Sequence, residues 1–256
     1  SFFIDPTNLD TTTPMLFFTR FITHYCAPVF VFLAGTSAFL YGSKKINREL
    51  FKFLFTRGIW LMLLEVVLNN LIWTFDLTYS LLIFQVIWAI GLSMVCLSFL
   101  IYLPKKILLL LGFILVAGHN LLDGIVVQGD GFKSVLWYVL HQEQVLTVNP
   151  NVMVFLHYPV IPWIGVMVLG YCFGAFYKNG FSATVRKKWL LGLGLGAIAL
   201  FFVLRGLNVY GDLVPWQAQE TTTKTILAFL NVTKYPPSLV FLLITIGPSL
   251  LFLYAI

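Results

Sequence analysis

The chain has 256 residues, 59% of them hydrophobic and 17% aromatic, and only 10% are charged, against the roughly 25% usual in soluble domains. Water cannot hold that much apolar surface on a chain of this length, so a soluble globular fold is excluded and the bilayer is the solvent. The net charge of +6 does not signify nucleic acid, because the basic residues form short clusters between apolar stretches, the pattern of positive-inside bias.

Taken in chain order, seven apolar spans are expected: residues 17–42, 58–75, 81–103, 107–122, 159–177, 189–204 and 236–256. The fold class they define is all-α, a polytopic membrane helix bundle of about seven transmembrane helices, one integral membrane domain over 1–256. The sequence starts at Ser1 without a signal-peptide pattern and stops at Ile256 inside an apolar run, so it is expected to be a piece of a longer chain, truncated at both ends. Cys26, Cys96 and Cys172 are odd in number and embedded in apolar segments, which gives neither a disulfide framework nor a metal site.

The first span opens with Thr23, His24 and Tyr25 ahead of CAPVFVFLAG. Related openings stand at His157 and Tyr158 before PVIPWIGVMVLG and at Lys234 and Tyr235 before PPSLVFLLITIG. Tyr is an interfacial anchor and Pro is tolerated near a helix start, so placement at the membrane boundary accounts for all three.

The connections alternate in charge. Segments 43–57, 104–106 and 178–188 carry 11 of the 16 basic residues and one acid, Glu49, and so face the cytoplasm. The opposite segments hold most of the acids, together with His24, His119, His141 and His157. Two outer segments, 123–158 and 205–235, are longer than a tether requires. Within them FKSVLWYVLHQEQVL (132–146) and TKTILAFLNV (223–232) read as interfacial helices able to roof a cavity.

Polar residues inside the spans supply the candidate site. Glu65 and Asn69 are one turn apart on one helical face, with Gln85 near the start of the next span. A carboxylate at membrane depth either lines a pathway or packs against neighbouring helices. In AGHNLLDG (117–124), His119 and Asp123 are four apart, with Asn120 beside them. They can meet on one face as a carboxylate-steered base, or form a polar helix end closed by Gly124.

RGLNVYGD (205–212) places Arg205, Asn208 and Asp212 together on the outer side. Arg205 runs against the charge bias there, so an ion pair with an acid is expected, serving either to lock the loop or to hold a sugar. GLGLGA (192–197) and GYCFG (170–174) are helix-packing stripes of small residues rather than nucleotide loops. NVT (231–233) fits a glycosylation acceptor only in a secretory compartment. Among the inner basic residues, Lys44, Lys45, Arg57 and Lys187 can face a polyanion, although topology alone also explains them.

THYCAPVFVFLAGTSAFLYG, FQVIWAIGLSMV, GHNLLDG, YPVIPWIGVMVLGYCFG, LRGLNVYGD and TKYPPSLVFLLITIGPSL together resemble the bacterial membrane proteins related to heparan-alpha-glucosaminide N-acetyltransferase, over nearly the whole chain. The resemblance implies an enzyme of the bacterial inner membrane that takes acetyl from cytoplasmic acetyl-CoA, its acyl donor, and delivers it to a carbohydrate amine or hydroxyl on the far side. It implies an outer histidine at the acceptor and a carbohydrate as partner; membrane lipid, no metal and no nucleic acid are expected from composition, cysteine placement and charge, and a homo-oligomer is left open.

His24 is the first candidate for base or acyl acceptor, and His119 with Asp123 the second. Glu65, Asn69, Gln85, Asn120, Arg205, Asn208 and Asp212 would line the route or the acceptor pocket, with His157, Tyr158, Lys234 and Tyr235 at its rim. Lys44, Lys45, Arg57 and Lys187 would meet the donor's diphosphate. The family's lumenal histidine precedes the CAPVFVFLAG-like span by about a dozen residues, where this chain has Thr11, Thr12, Thr13 and Pro14; His24 is not a residue-by-residue match. The alternative is a membrane transporter or export component for a sugar-containing or anionic solute, which would also place Glu65 and the histidines along a cavity.

Overall fold

The computed structural model describes residues 5–256, about 65% of them helical. Three helical stretches are long and apolar enough to cross a bilayer: Pro14–Gly42, Lys105–Leu122 and Ala183–Leu207. Shorter apolar helices cover Val86–Leu100, Ile161–Tyr177 and Leu239–Ala255. The chain divides into two compact units, one of Phe30–Phe181 and one of the described residues up to Val29 with Ser182–Ile256.

In the central unit, α2 (Cys26–Gly42) leads to α3 (Asn47–Leu64), which widens into a π-helical turn at Glu65–Asn69 and resumes as α4 (Asn70–Thr74). Strand β1 (Leu81–Phe84) precedes α5 (Val86–Leu100), and α6 (Lys105–Gly118) tightens into a 3-10 turn at His119–Leu122. Next come α7 (Phe132–Leu140), β2 (Gln144–Asn149), β3 (Val152–Leu156) and α8 (Ile161–Phe173), which ends in a 3-10 turn, Gly174–Tyr177.

The helices approach through glycine. A Cβ on Gly58 would sit 2.6 Å from the Gly91 carbonyl oxygen, and one on Gly91 would sit 2.7 Å from that of Gly58, so α3 and α5 touch backbone to backbone. Gly35 and Gly170 do the same for α2 and α8, each facing the other helix's backbone, at Met167 and Phe32. Lipid tails are as apolar as leucine, so close backbone approach and van der Waals contact hold such helices together.

Three expectations are corrected here. Residues 81–84 are not the start of a helix: they form β1, parallel to β3 with Leu81 opposite Met153 and Phe84 opposite Leu156. The 132–146 segment is helical only to Leu140, and its remainder is β2, antiparallel to β3. The fold is therefore mostly helical but carries a three-stranded sheet of order β1-β3-β2. The pairing places segments 81–84 and 144–156 at one end of the unit.

The other unit contains α1 (Pro14–Thr23), α9 (Ala183–Leu207), α10 (Thr222–Leu230) and α11 (Leu239–Ala255). Thr13, Ser182, Thr221 and Ser238 each cap a helix by accepting from the backbone N–H of the third residue on. The expected 17–42 helix is interrupted at His24 and Tyr25, between α1 and α2. α9 lies against α11 at Gly194, Ala197 and Gly247, whereas Gly192 and Gly196 face open space.

Candidate functional site

The sheet end of the central unit gathers three of the four histidines. Where α6 tightens, the His119 ring turns back and its Nδ1–H donates to the Val116 carbonyl at 2.9 Å. A carbonyl only accepts, so the ring proton is on Nδ1 and Nε2 carries the basic lone pair of the neutral ring. His119 is 2% exposed.

The expected partnership of His119 with Asp123 is replaced by another. Asp123 Oδ1 accepts from Nε2 of His141 at 3.1 Å, and Oδ2 accepts from Nδ2 of Asn120 at 2.8 Å. The physical reason is the 3-10 turn at 119–122, which has about 3.0 residues per turn and so breaks the i, i+4 alignment that an α-helix would have kept. The His119 and His141 rings remain neighbours, with centroids 5.9 Å apart.

His141 was visible in the sequence only as one of four outer histidines. It follows α7, with its backbone N–H donating to the Trp137 carbonyl at 2.7 Å, and it is 3% exposed. The loop between Asp123 and α7 is pinned to that helix end: Gln142 bonds both backbone groups of Val127, Trp137 Nε1–H donates to the Ile125 carbonyl, and the Tyr138 hydroxyl donates to the Gly129 carbonyl. A loop with its backbone satisfied holds Asp123 against His141.

His157, just after β3, donates from Nδ1 to Glu143 Oε1 at 2.5 Å. This second histidine–carboxylate pair is more open, with side chains 22% and 32% exposed. Phe155 and Tyr158 flank the His157 ring at 4.8 and 5.4 Å. Glu143, like His141, was not singled out from the sequence, because each pairing joins residues 14 to 18 apart across irregular chain.

Glu65 is fully buried, and the structure gives it a helix end to hold. Its Oε1 accepts from Nδ2 of Asn69 and from the backbone N–H of Gln85, both at 3.0 Å, and the N–H groups of Ile87 and Trp88 also act on the carboxylate. An anion placed on unpaired N–H groups at the start of α5 is stabilised by those donors and the helix dipole. Gln85 therefore takes part through its backbone. Asn70, which sequence reading passed over, donates to the Glu65 and Ile83 carbonyls and accepts from Ile83 N–H, tying the π turn to β1.

In the other unit, His24 is 5% exposed between Phe21 and Phe241, with ring centroids at 6.1 and 5.4 Å, and its Nδ1 has no hydrogen-bond partner. Lys234 Nζ lies over the Tyr235 ring at 5.2 Å. Arg205, near the end of α9, ties together the segments that follow it. It donates from Nε to Phe229, from Nη1 to Val214 and from Nη2 to Ala228 and Asn231, all at backbone carbonyls, and pairs with Asp212 at 3.2 Å.

Asp212 in turn accepts from Thr233 and Val214. Asn208 closes α9 in the left-handed conformation, φ +58°, and bonds both backbone groups of Trp216. These three residues lock loops, and the 70 Å³ cavity that Arg205, Asn208 and Asp212 help to line is water-sized rather than sugar-sized. The NVT segment is engaged as well: Asn231 Nδ2 donates to the Thr7 carbonyl and the Thr233 hydroxyl to Asp212.

The basic candidates are exposed. Lys45 pairs with Glu49 at 3.2 Å, and hydrogen bonding to that carboxylate raises its pKa. The Arg57 guanidinium lies 4.5 Å over the Phe53 ring and Lys187 Nζ 5.9 Å over Tyr254, while Lys44 is solvent-facing. Among the described residues no group of three or more His, Cys, Asp or Glu forms a metal cluster.

Apolar helices enclosing buried ionisable pairs define an integral membrane protein. The chain belongs to the family described as heparan-alpha-glucosaminide N-acetyltransferase, catalytic, whose model matches residues 2–211. It is thereby placed among transferase enzymes. Comparison with curated proteins and with solved structures returned no match.

Proposed function

We propose that this protein is a transmembrane acyltransferase that moves acetyl from cytoplasmic acetyl-CoA to a carbohydrate amine or hydroxyl on the opposite side of a bacterial cytoplasmic membrane, through a bundle of about seven spans in which the shorter apolar helices also cross. The observation that carries the reading is the cluster of buried His119 and His141 with half-buried Asn120 and Asp123 at the sheet end of the central unit, in a chain of this family. Acyl transfer to an amine or hydroxyl needs a neutral imidazole to accept the acceptor's proton and a carboxylate to orient and stabilise it. From the sequence, His24 and His119 are the candidate bases. Of these two, His119 belongs to the cluster, its Nδ1–H held by the Val116 carbonyl beside the Asp123–His141 pair.

On the donor side, the exposed Lys44, Lys45, Arg57 and Lys187 offer cations of the kind a coenzyme A diphosphate requires. His157 with Tyr158 in one unit, and Lys234 with Tyr235 in the other, each set a polar tip beside an aromatic ring, the kind of pair a sugar can use. Glu65, Asn69 and Gln85 hold the framework of α3 and α5 by their mutual bonds and act on the route only by keeping it in shape.

The test is purified protein in detergent supplied with acetyl-labelled acetyl-CoA and an aminosugar. Release of CoA with label on the sugar supports the reading. No CoA binding and no turnover contradicts it, and CoA-independent solute uptake into proteoliposomes would move the assignment to a transporter.

A further inference from the structure

We propose that His141, held by Asp123, is the general base of the acyl transfer, and that its Nδ1 is the atom that receives the acceptor's proton; this rests on the acyltransferase reading above. Asp123 anchors the arrangement. Both of its oxygens are engaged, Oδ1 by His141 Nε2–H and Oδ2 by Asn120, so the carboxylate cannot swing and the imidazole it holds is fixed in plane and tautomer. With the proton on Nε2, the basic lone pair of the neutral ring is on Nδ1.

That atom is buried and has no hydrogen-bond partner. Buried polar atoms are nearly always satisfied, so an orphan lone pair on a ring pinned from its other side marks a place for a donor from outside the chain. The acceptor's N–H or O–H is such a donor. Trp137 and His119 flank the ring at 5.4 and 5.9 Å, giving the position aromatic walls that exclude water and can face the apolar side of a sugar.

The other histidines lack one part of this arrangement. His24 also has an unpartnered Nδ1, but among the described residues no carboxylate pairs with it. His157 has its carboxylate, Glu143, in a half-open position where water competes. Among the described residues, the His141 pair alone combines an orienting acid with a buried, unpartnered basic nitrogen.

In the step so assigned, the acceptor nitrogen or oxygen attacks the acetyl carbonyl carbon of the thioester. A C–N or C–O bond forms and the C–S bond breaks. The acceptor's proton passes to His141 Nδ1 and then to the departing thiolate, leaving free CoA thiol and a neutral imidazole. Asp123 stabilises the imidazolium in between without taking its proton.

The experiment uses the whole chain in lipid nanodiscs with acetyl-labelled acetyl-CoA and glucosamine as the acceptor probe. His141→Gln and His141→Ala should each lower kcat by about 10²–10⁴-fold, with the KM for acetyl-CoA unchanged, and Asp123→Asn should fall between them and the unaltered protein. Added imidazole should restore part of the activity of His141→Ala, which leaves room for it, and none of that of His141→Gln. Should His141→Ala not fold, the losses in His141→Gln and Asp123→Asn decide. Transfer by the unaltered protein that persists within threefold in His141→Gln overturns this assignment alone. Absence of CoA release from the unaltered protein overturns the acyltransferase reading and this assignment with it.

Discussion

Arg205 Nη1 lies 3.2 Å from Asp212 Oδ2, with the two side chains 2% and 5% exposed, and the same guanidinium donates to four backbone carbonyls, one at Val214 and three at the end of α10. A buried charge of this kind is held because every donor has an acceptor, and removing one partner strands the other. Arg205→Ala is therefore expected to destabilise the fold by about 3–5 kcal/mol, the usual cost of breaking a buried pair. Arg205→Lys, with three donors in place of a planar fork, should recover only part of that. Thermal unfolding in detergent measures both, and an unchanged Tm in Arg205→Ala would show that the hub carries no load.

Glu65 joins two helices through hydrogen bonds from Asn69 and from the start of α5. Charge-assisted bonds contribute about 1.5–3 kcal/mol each, so Glu65→Ala should lower stability by at least that amount. Glu65→Gln keeps one acceptor oxygen and should lose less. If acetyl transfer collapses in Glu65→Gln while the unfolding temperature stays put, the residue takes part in the chemistry rather than in the framework.

The glycine contacts give a paired test. Gly58→Ala would push a methyl group against the Gly91 backbone, for an expected loss of about 1–3 kcal/mol. Gly192→Ala meets open space, so it should be neutral or slightly stabilising. Equal effects of the two substitutions on thermal stability would contradict the packing assigned to α3 and α5.

Asp76 accepts from the hydroxyls and backbone N–H groups of Ser80 and Thr78, and these bonds hold its carboxyl below the ordinary value of 3.8. A carboxyl lowered in the folded state contributes stability that is present above its unfolded pKa and is lost as pH falls toward and through the folded one. The 76–80 turn should thus keep its order at neutral pH and loosen in strong acid. Asp76→Asn should flatten that dependence below about pH 4, as read by hydrogen exchange of the turn at a series of pH values.

The apolar helices were legible because composition and charge alternation report the solvent directly. What escaped was structure whose partner is distant in sequence. LLIF at 81–84 is apolar throughout, and nothing local tells a strand from the beginning of a span; its partner β3 begins at Val152. His119 and Asp123 had helical spacing, but the helix tightens at His119 and Asp123 turns to His141. Glu65 with Asn69 was readable since both sit within one helical turn, and the bond forms even across the π widening. The Arg205–Asp212 pair was readable from a charge of the wrong sign for its side. The capping of α5 by Glu65 was not, since it depends on where a helix some twenty residues away begins.

The central claim is that acetyl crosses from a cytoplasmic donor to an acceptor on the far side. The most direct measurement reconstitutes the protein in sealed proteoliposomes, with acetyl-labelled acetyl-CoA on the side of the basic segments and glucosamine enclosed on the other. Label appearing on the enclosed sugar, with stoichiometric CoA thiol released outside, is the predicted result. CoA thiol release without labelled sugar, or labelled sugar formed only when donor and acceptor share one compartment, would contradict it.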